Sequence, residues 1–153
     1  MPVGNAAMLL IVTDGGLLMH LRDDKPGIYH PGCWAGFGGA VEDGETVEQA
    51  LQREVLEETG LDIKSAAFLT SEVDHEGGGK EVSLFYVVGD YQPEDIELGE
   101  GSAVAVHAIE ELAGLKMSPF VDRAIRSHLL GVLAQAEVPG PEERPCTRAS
   151  LGG

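Results

Sequence analysis

Cysteine is nearly absent: Cys33 and Cys146 are the only two in 153 residues, and neither belongs to a CxxC or a doubled Cys/His set. That argues against a disulfide framework or a structural zinc site, and predicts free thiols in a reducing compartment. A chain of this length needs no such staple, since folding can bury roughly 68 to 70% of the surface its extended form exposes. Long apolar runs are also missing. The longest early one, Ala6 to Thr13, has no basic flank and falls well short of the roughly 20 residues a membrane-spanning helix needs, so a soluble, cytoplasmic protein is expected. The third scarcity is basic charge. Ten Lys and Arg face 26 Asp and Glu, a formal charge of −16, and such a field repels polyanions. Neither nucleic acid nor an anionic membrane is therefore expected as partner. A small anion stays acceptable where metal ions bridge it. No repeat of 20 to 50 residues is present, and the length suits one domain.

Within that domain, Ala7 to Thr13 and Leu17 to Leu21 flank Asp14-Gly15-Gly16, a strand, tight turn and strand. The stretch from Arg22 to Gly32, with two prolines and two glycines, predicts a surface loop. Trp34 to Val41 predicts a short extended segment whose glycines permit close backbone approach. Thr46 with Gln49 forms a capping-box signature and Gly60 suits a left-handed helix end, so a helix is predicted from Val47 to Thr59. Strands follow at Ala66 to Val73 and Val82 to Val88, joined through the glycine-rich loop His75 to Lys80, then an acidic loop from Asp90 to Ser102. Ala103 to His107 predicts another strand, and Ile109 to Leu115 a short helical turn. A last helix opens at Ser118-Pro119, with Phe120, Ala124, Ile125, Leu129 and Val132 on its inner face. Residues 1–137 would form the domain, and 138–153, rich in proline, glycine and charge, a disordered tail.

Seven acids and one base, Arg53, fall between Gly39 and Leu61. At 100° per residue, Glu54, Glu57 and Glu58 share one sector of the predicted helix, bordering its apolar stripe. Like charges at this spacing destabilise a helix by about 0.2 to 0.5 kcal/mol even when exposed. They either form a solvated face or bind a cation, and carboxylate oxygens suit Mg²⁺ or Mn²⁺. Elsewhere, His30 and Cys33 read as loop residues rather than half a zinc site. His20, His107 and His128 read as structural or exposed, and Trp34 as a core or cleft-wall residue. His75 would either meet substrate or belong to a mobile hairpin.

Gly39, five residues, Glu45, seven residues, then Arg53-Glu54-Val55-Leu56-Glu57-Glu58-Thr59-Gly60-Leu61 resembles the Nudix box at all nine specified positions of 23. The resemblance implies a single-domain α/β/α sandwich with a mixed central sheet, the box forming loop, helix and loop. It implies hydrolysis of a nucleoside diphosphate-linked substrate with Mg²⁺, or Mn²⁺, held by Glu54, Glu57, Glu58 and the Gly38 carbonyl. Arg53 and Glu45 would brace the loop against the helix. Glu54 or Glu57 would act as base, or an acid of the later loop, Glu100 first and Glu97 second. Arg22 stands where relatives often place a phosphate-contacting base.

Departures from the pattern bear on substrate. Phe37 replaces the proline common before the Gly-Gly pair. The stretch from Glu76 to Gly79 lacks the proline associated with ADP-ribose hydrolases and the tyrosine associated with diadenosine polyphosphate hydrolases. Residues 118–122 lack the asparagine that reads an oxidised guanine. A nucleoside triphosphate is thus the expected substrate, acted on by a monomer or homodimer. Hydrolysis of ADP-ribose or a nucleotide sugar, and a sensor that binds nucleotide without turnover, are the alternatives.

Overall fold

A computed structural model describes residues 5–98 and 103–136. The tail beyond residue 137 and Glu100 lie outside the described residues.

Seven strands form one mixed sheet around β1 (Ala6–Thr13), whose apolar run is buried on both faces. That double burial explains why the run is continuous rather than alternating. On one edge β1 pairs in parallel with β6 (Lys80–Val88), which pairs antiparallel with the edge strand β5 (Ala67–Asp74). The other edge of β1 is shared. Residues Ile11 to Thr13 pair with β2 (Gly16–Leu21), whereas Ala6 to Leu9 pair with β4 (Phe37–Ala40). β2 in turn takes β3 (Trp34–Ala35) at its far end and β7 (Ala103–Ala108) along its whole length.

The predicted extended segment is therefore two strands, with Gly36 at the crossing from β2 to β1. A Cβ on Gly36 would run into the Leu9 carbonyl and lie 3.0 Å from Met8 Cγ, so no larger residue can make that crossing unless the backbone shifts.

Alternate residues of β1 serve two cores. Ala7, Leu9 and Ile11 pack toward α1 (Val47–Thr59) with Leu51, Val55 and Phe37, while Ala6, Leu10 and Val12 pack with Phe120, Val121, Ile125 and Leu129 of the C-terminal helical segment. Each such aliphatic or aromatic side chain, fully buried, contributes about 1.5 to 3 kcal/mol. The result is the α/β/α sandwich expected. Thr46 accepts from the Gln49 amide while Gln49 reciprocates, and Gly60 ends α1 at φ +80°.

The last helix differs from expectation. It is α2 (Pro119–Ala124), a π turn (Ile125–Leu129) and α3 (Leu130–Ala136). Ser118 occupies the cap position without a side-chain hydrogen bond, and Pro119 fills the first turn. The wide turn takes up one residue more than an α turn. The inner face consequently continues through Leu130 and Leu133 rather than through Val132. No helix of the described residues is long and apolar enough to cross a membrane.

His20, on β2, is buried and stacks on Phe37 with ring centroids 4.9 Å apart, and its Nδ1 has no hydrogen-bond partner. Burial, with Arg22 nearby as the lesser cause, lowers its pKa from 6.5 to about 4. The unfolded chain then binds more protons than the native state between about pH 4 and 6.5, so stability rises with pH across that window. His20→Leu is expected to flatten this part of the stability curve, read as urea midpoint against pH, by an amount of order 3 kcal/mol between the two ends.

Candidate active site

Two glycines of β4 bring the sheet against α1. A Cβ on Gly38 would strike the Ala7 carbonyl across the β1 ladder, and one on Gly39 would lie 2.6 and 2.7 Å from the two Glu54 carboxylate oxygens. The Gly38 amide donates to Glu58 Oε1 at 3.1 Å. These contacts seat the C-terminal half of the helix on the strand end.

Arg53 holds the rest. Its Nε donates to Glu45 Oε2 at 2.7 Å and its Nη2 to Glu45 Oε1 at 3.0 Å, a two-pronged grip between helix and loop. Nη2 also donates to the Ala40 carbonyl at 3.1 Å, and Nη1 to Glu54 at 3.0 Å and Glu57 at 3.4 Å. Glu42 lies 3.7 Å away. The hydrogen bonds with Glu45, then with Glu54, raise the guanidinium pKa further above its ordinary value. The Arg53 bonds, followed by the Glu42 amide, hold the Glu45 carboxyl below its ordinary range. A depressed carboxyl favours the fold above its unfolded pKa and loses that contribution as pH falls through its native one.

The structure thus brings Arg53, Glu45, Glu54 and Glu57 together, with Glu58 on the adjoining strand amide. Among the described residues no three His, Cys, Asp or Glu side chains converge at ligand spacing. Arg53 and the Gly38 amide engage the three glutamates of the i, i+3, i+4 face instead. Their chemistry still fits a hard divalent cation: oxygen donors only, Glu54 and Glu58 half-buried and Glu57 exposed, and space for the Glu54 carboxylate where Gly39 has no side chain. Glu97 reaches the far end of α1, its amide donating to the Thr59 carbonyl at 3.0 Å.

Gly38 and Gly39 also line a cleft of about 130 Å³, together with Arg22, Tyr29, His30, Asp74, Lys80 and Phe120. Two of the chain's ten basic residues, Arg22 and Lys80, therefore meet in one cavity. Arg22 Nε donates to the Tyr29 carbonyl at 2.9 Å. Lys80 Nζ donates to the Gly77 carbonyl and stands 4.6 Å from the Tyr29 ring centre. His30 is a loop residue as expected, but it is paired with Asp74 and not with Cys33. The sequence carries no local signal for Tyr29, Asp74, Lys80 or Phe120 as cleft residues, because strands far apart in the chain bring them together.

A family model, the NUDIX domain, matches residues 1–128. The chain belongs to the Nudix hydrolase family. It is 46% identical over 56 residues to an oxidized purine nucleoside triphosphate hydrolase of Danio rerio, a match covering 37% of this chain and 34% of that protein. It is 38% identical over 81 residues to an ADP-ribose pyrophosphatase of Methanocaldococcus jannaschii, covering 52% and 46% respectively. The chain thus spans between about a third and a half of these curated relatives' length. Among solved structures, it resembles the MutT protein from Methanosarcina mazei Go1 with a TM-score of 0.64 and 26% identity, covering 82% of this chain and 95% of that one.

Substituting Gly39→Ala pushes the Glu54 carboxylate from its place at little cost to the core. Mn²⁺ binding by the Nudix helix, followed by electron paramagnetic resonance, is expected to weaken about tenfold or more, with little change in thermal midpoint.

Proposed function

We propose that this Nudix-family chain is a divalent-metal-dependent pyrophosphohydrolase converting a nucleoside triphosphate and water into nucleoside monophosphate and pyrophosphate. The observation that carries the reading is the shared position of Gly39. It packs on the Glu54 carboxylate of the Arg53 cluster and lines the cleft that presents Arg22 and Lys80. Carboxylates able to hold a cation and basic groups able to hold an anion therefore adjoin one strand end.

Glu54, Glu57, Glu58 and the Gly38 carbonyl would hold Mg²⁺, or Mn²⁺ in its place, which when bound neutralises phosphate oxygens and acidifies water. Glu54 or Glu57 accepts the proton of the attacking water, with Glu100 as a further candidate base. The water oxygen bonds to phosphorus, the bridging P–O bond breaks, and pyrophosphate leaves. Arg53 and Glu45 take no proton. They keep the helix carboxylates oriented, so little reorganisation is needed as charge develops. Arg22 contacts the phosphate chain. The enzyme would work in the cytoplasm as a monomer or homodimer on a free nucleotide, without nucleic acid or membrane, and residues 1–137 would suffice for activity.

The name of the Danio rerio relative supports a nucleoside triphosphate substrate. That of the Methanocaldococcus jannaschii relative favours a second reading, hydrolysis of ADP-ribose or a nucleotide sugar. A nucleotide panel with Mg²⁺ and identification of the products separates the two: nucleoside monophosphate plus pyrophosphate supports the first, and nucleoside monophosphate plus a sugar phosphate the second. Binding of a nucleotide without any turnover would replace both with a sensor.

Glu57→Gln and Glu58→Gln are each expected to lower kcat by about a hundredfold with an unchanged circular-dichroism melt, because charge is removed at nearly constant volume. Near-normal turnover would refute the assigned roles. A chain ending at residue 137 is expected to keep kcat/KM within about twofold of the full-length value, since the removed segment has no periodic apolar face with which to pack.

A further inference from the structure

The loop from Arg22 to Cys33 and the turn between β5 and β6 meet at one buried pair. His30 Nε2 lies 2.9 Å from each carboxylate oxygen of Asp74, with the two side chains 12% and 3% exposed, so the ring N–H is shared between both oxygens away from water. Gly77 closes over the pair. A Cβ there would strike the Asp74 carboxylate and come within 2.9 Å of His30 Nε2. His30 itself holds a left-handed backbone, φ +53°, which a residue with a side chain rarely adopts.

Tyr29, its neighbour, carries the consequence in two directions. Its carbonyl accepts from Arg22 Nε, and its ring lies under Lys80 Nζ. Its hydroxyl packs on Gly78, 3.0 Å from where a Cβ would stand. Tyr29, His30, Asp74, Arg22 and Lys80 all line the same cleft as Gly38 and Gly39.

We propose that His30 and Asp74 are positioning residues whose buried pair locks the 22–33 loop onto the β5–β6 turn. Through Tyr29, the pair sets Arg22 and Lys80 as a two-cation grip on the substrate's phosphate chain. The identity of that anion rests on the pyrophosphohydrolase reading; the lock itself does not.

Replacement of His30 by two amides separates a lock from a merely tolerated backbone. The amide nitrogen of glutamine reaches about as far as imidazole Nε2, whereas that of asparagine stops near Nδ1. Asparagine, however, accepts the left-handed backbone better than glutamine does. His30→Asn is expected to raise KM for a nucleoside triphosphate, and the calorimetric Kd for inorganic tripolyphosphate, about tenfold while kcat stays within about threefold. Deuterium should also enter the 22–33 peptide faster, where the Gly32 and Cys33 amides are now bonded within the loop. His30→Gln should restore most of all three. Lys80→Met should weaken tripolyphosphate binding to a similar degree with the loop still protected.

The proposal is overturned if His30→Asn leaves KM, tripolyphosphate affinity and exchange unchanged. It is also overturned if asparagine proves the better replacement and glutamine the worse. If the native protein hydrolyses no nucleotide while the His30 variants shift tripolyphosphate affinity and exchange as stated, the lock stands and the pyrophosphohydrolase reading falls.

Discussion

The Arg53 guanidinium is the constraint on which the rest depends. The Nudix segment places seven acids between strand end and helix end, and a helix carrying three of them on one face resists formation unless something offsets their repulsion. Arg53 spreads one positive charge over Glu45, Glu54, Glu57 and the Ala40 carbonyl. Its fork shape matters as much as its charge, because only a planar group with several fixed donors can span loop, helix and strand at once. Lysine would supply the charge and lose the geometry.

The sheet supplies the second requirement, proximity. β2 and β4 share one edge of β1, and the short run from Trp34 to Ala40 crosses between them. Glycine at 36, 38 and 39 lets that run pass close to the β1 backbone and to α1, so helix carboxylates and cleft lie on either side of a single strand. The excess of negative charge elsewhere gives the two cleft cations added meaning: they make this pocket locally hospitable to an anion that the protein as a whole repels.

Much of this was legible in the sequence because local signals carry it. The bounds of α1 follow from Thr46, Gln49 and Gly60, whose capping chemistry is confined to a few neighbouring residues. β1 announces itself by a run that only double burial can explain. The split at Gly36 is less visible, since a glycine in an extended segment marks close approach without saying to what. The π turn leaves no trace in composition. Apolar spacing up to Leu129 fits an ordinary helix, and only packing shows that Leu133, not Val132, is the next inward residue. The helix periodicity put Glu54, Glu57 and Glu58 on one face but could not give their partners, which depend on an arginine rotamer and a strand amide. Asp74 reads as a strand-ending acid until topology sets it against a histidine 44 positions earlier.

That wide turn has an implication for how the fold tolerates length changes. A chain shortened by one position between Ile125 and Leu129 would regain regular i to i−4 bonding, yet everything after it would swing by about 100° around the axis. Leu130 and Leu133 would leave the apolar interface and more polar neighbours would enter it. The irregularity therefore keeps register: one surplus residue, absorbed locally, lets both ends of the terminal helix face the same sheet.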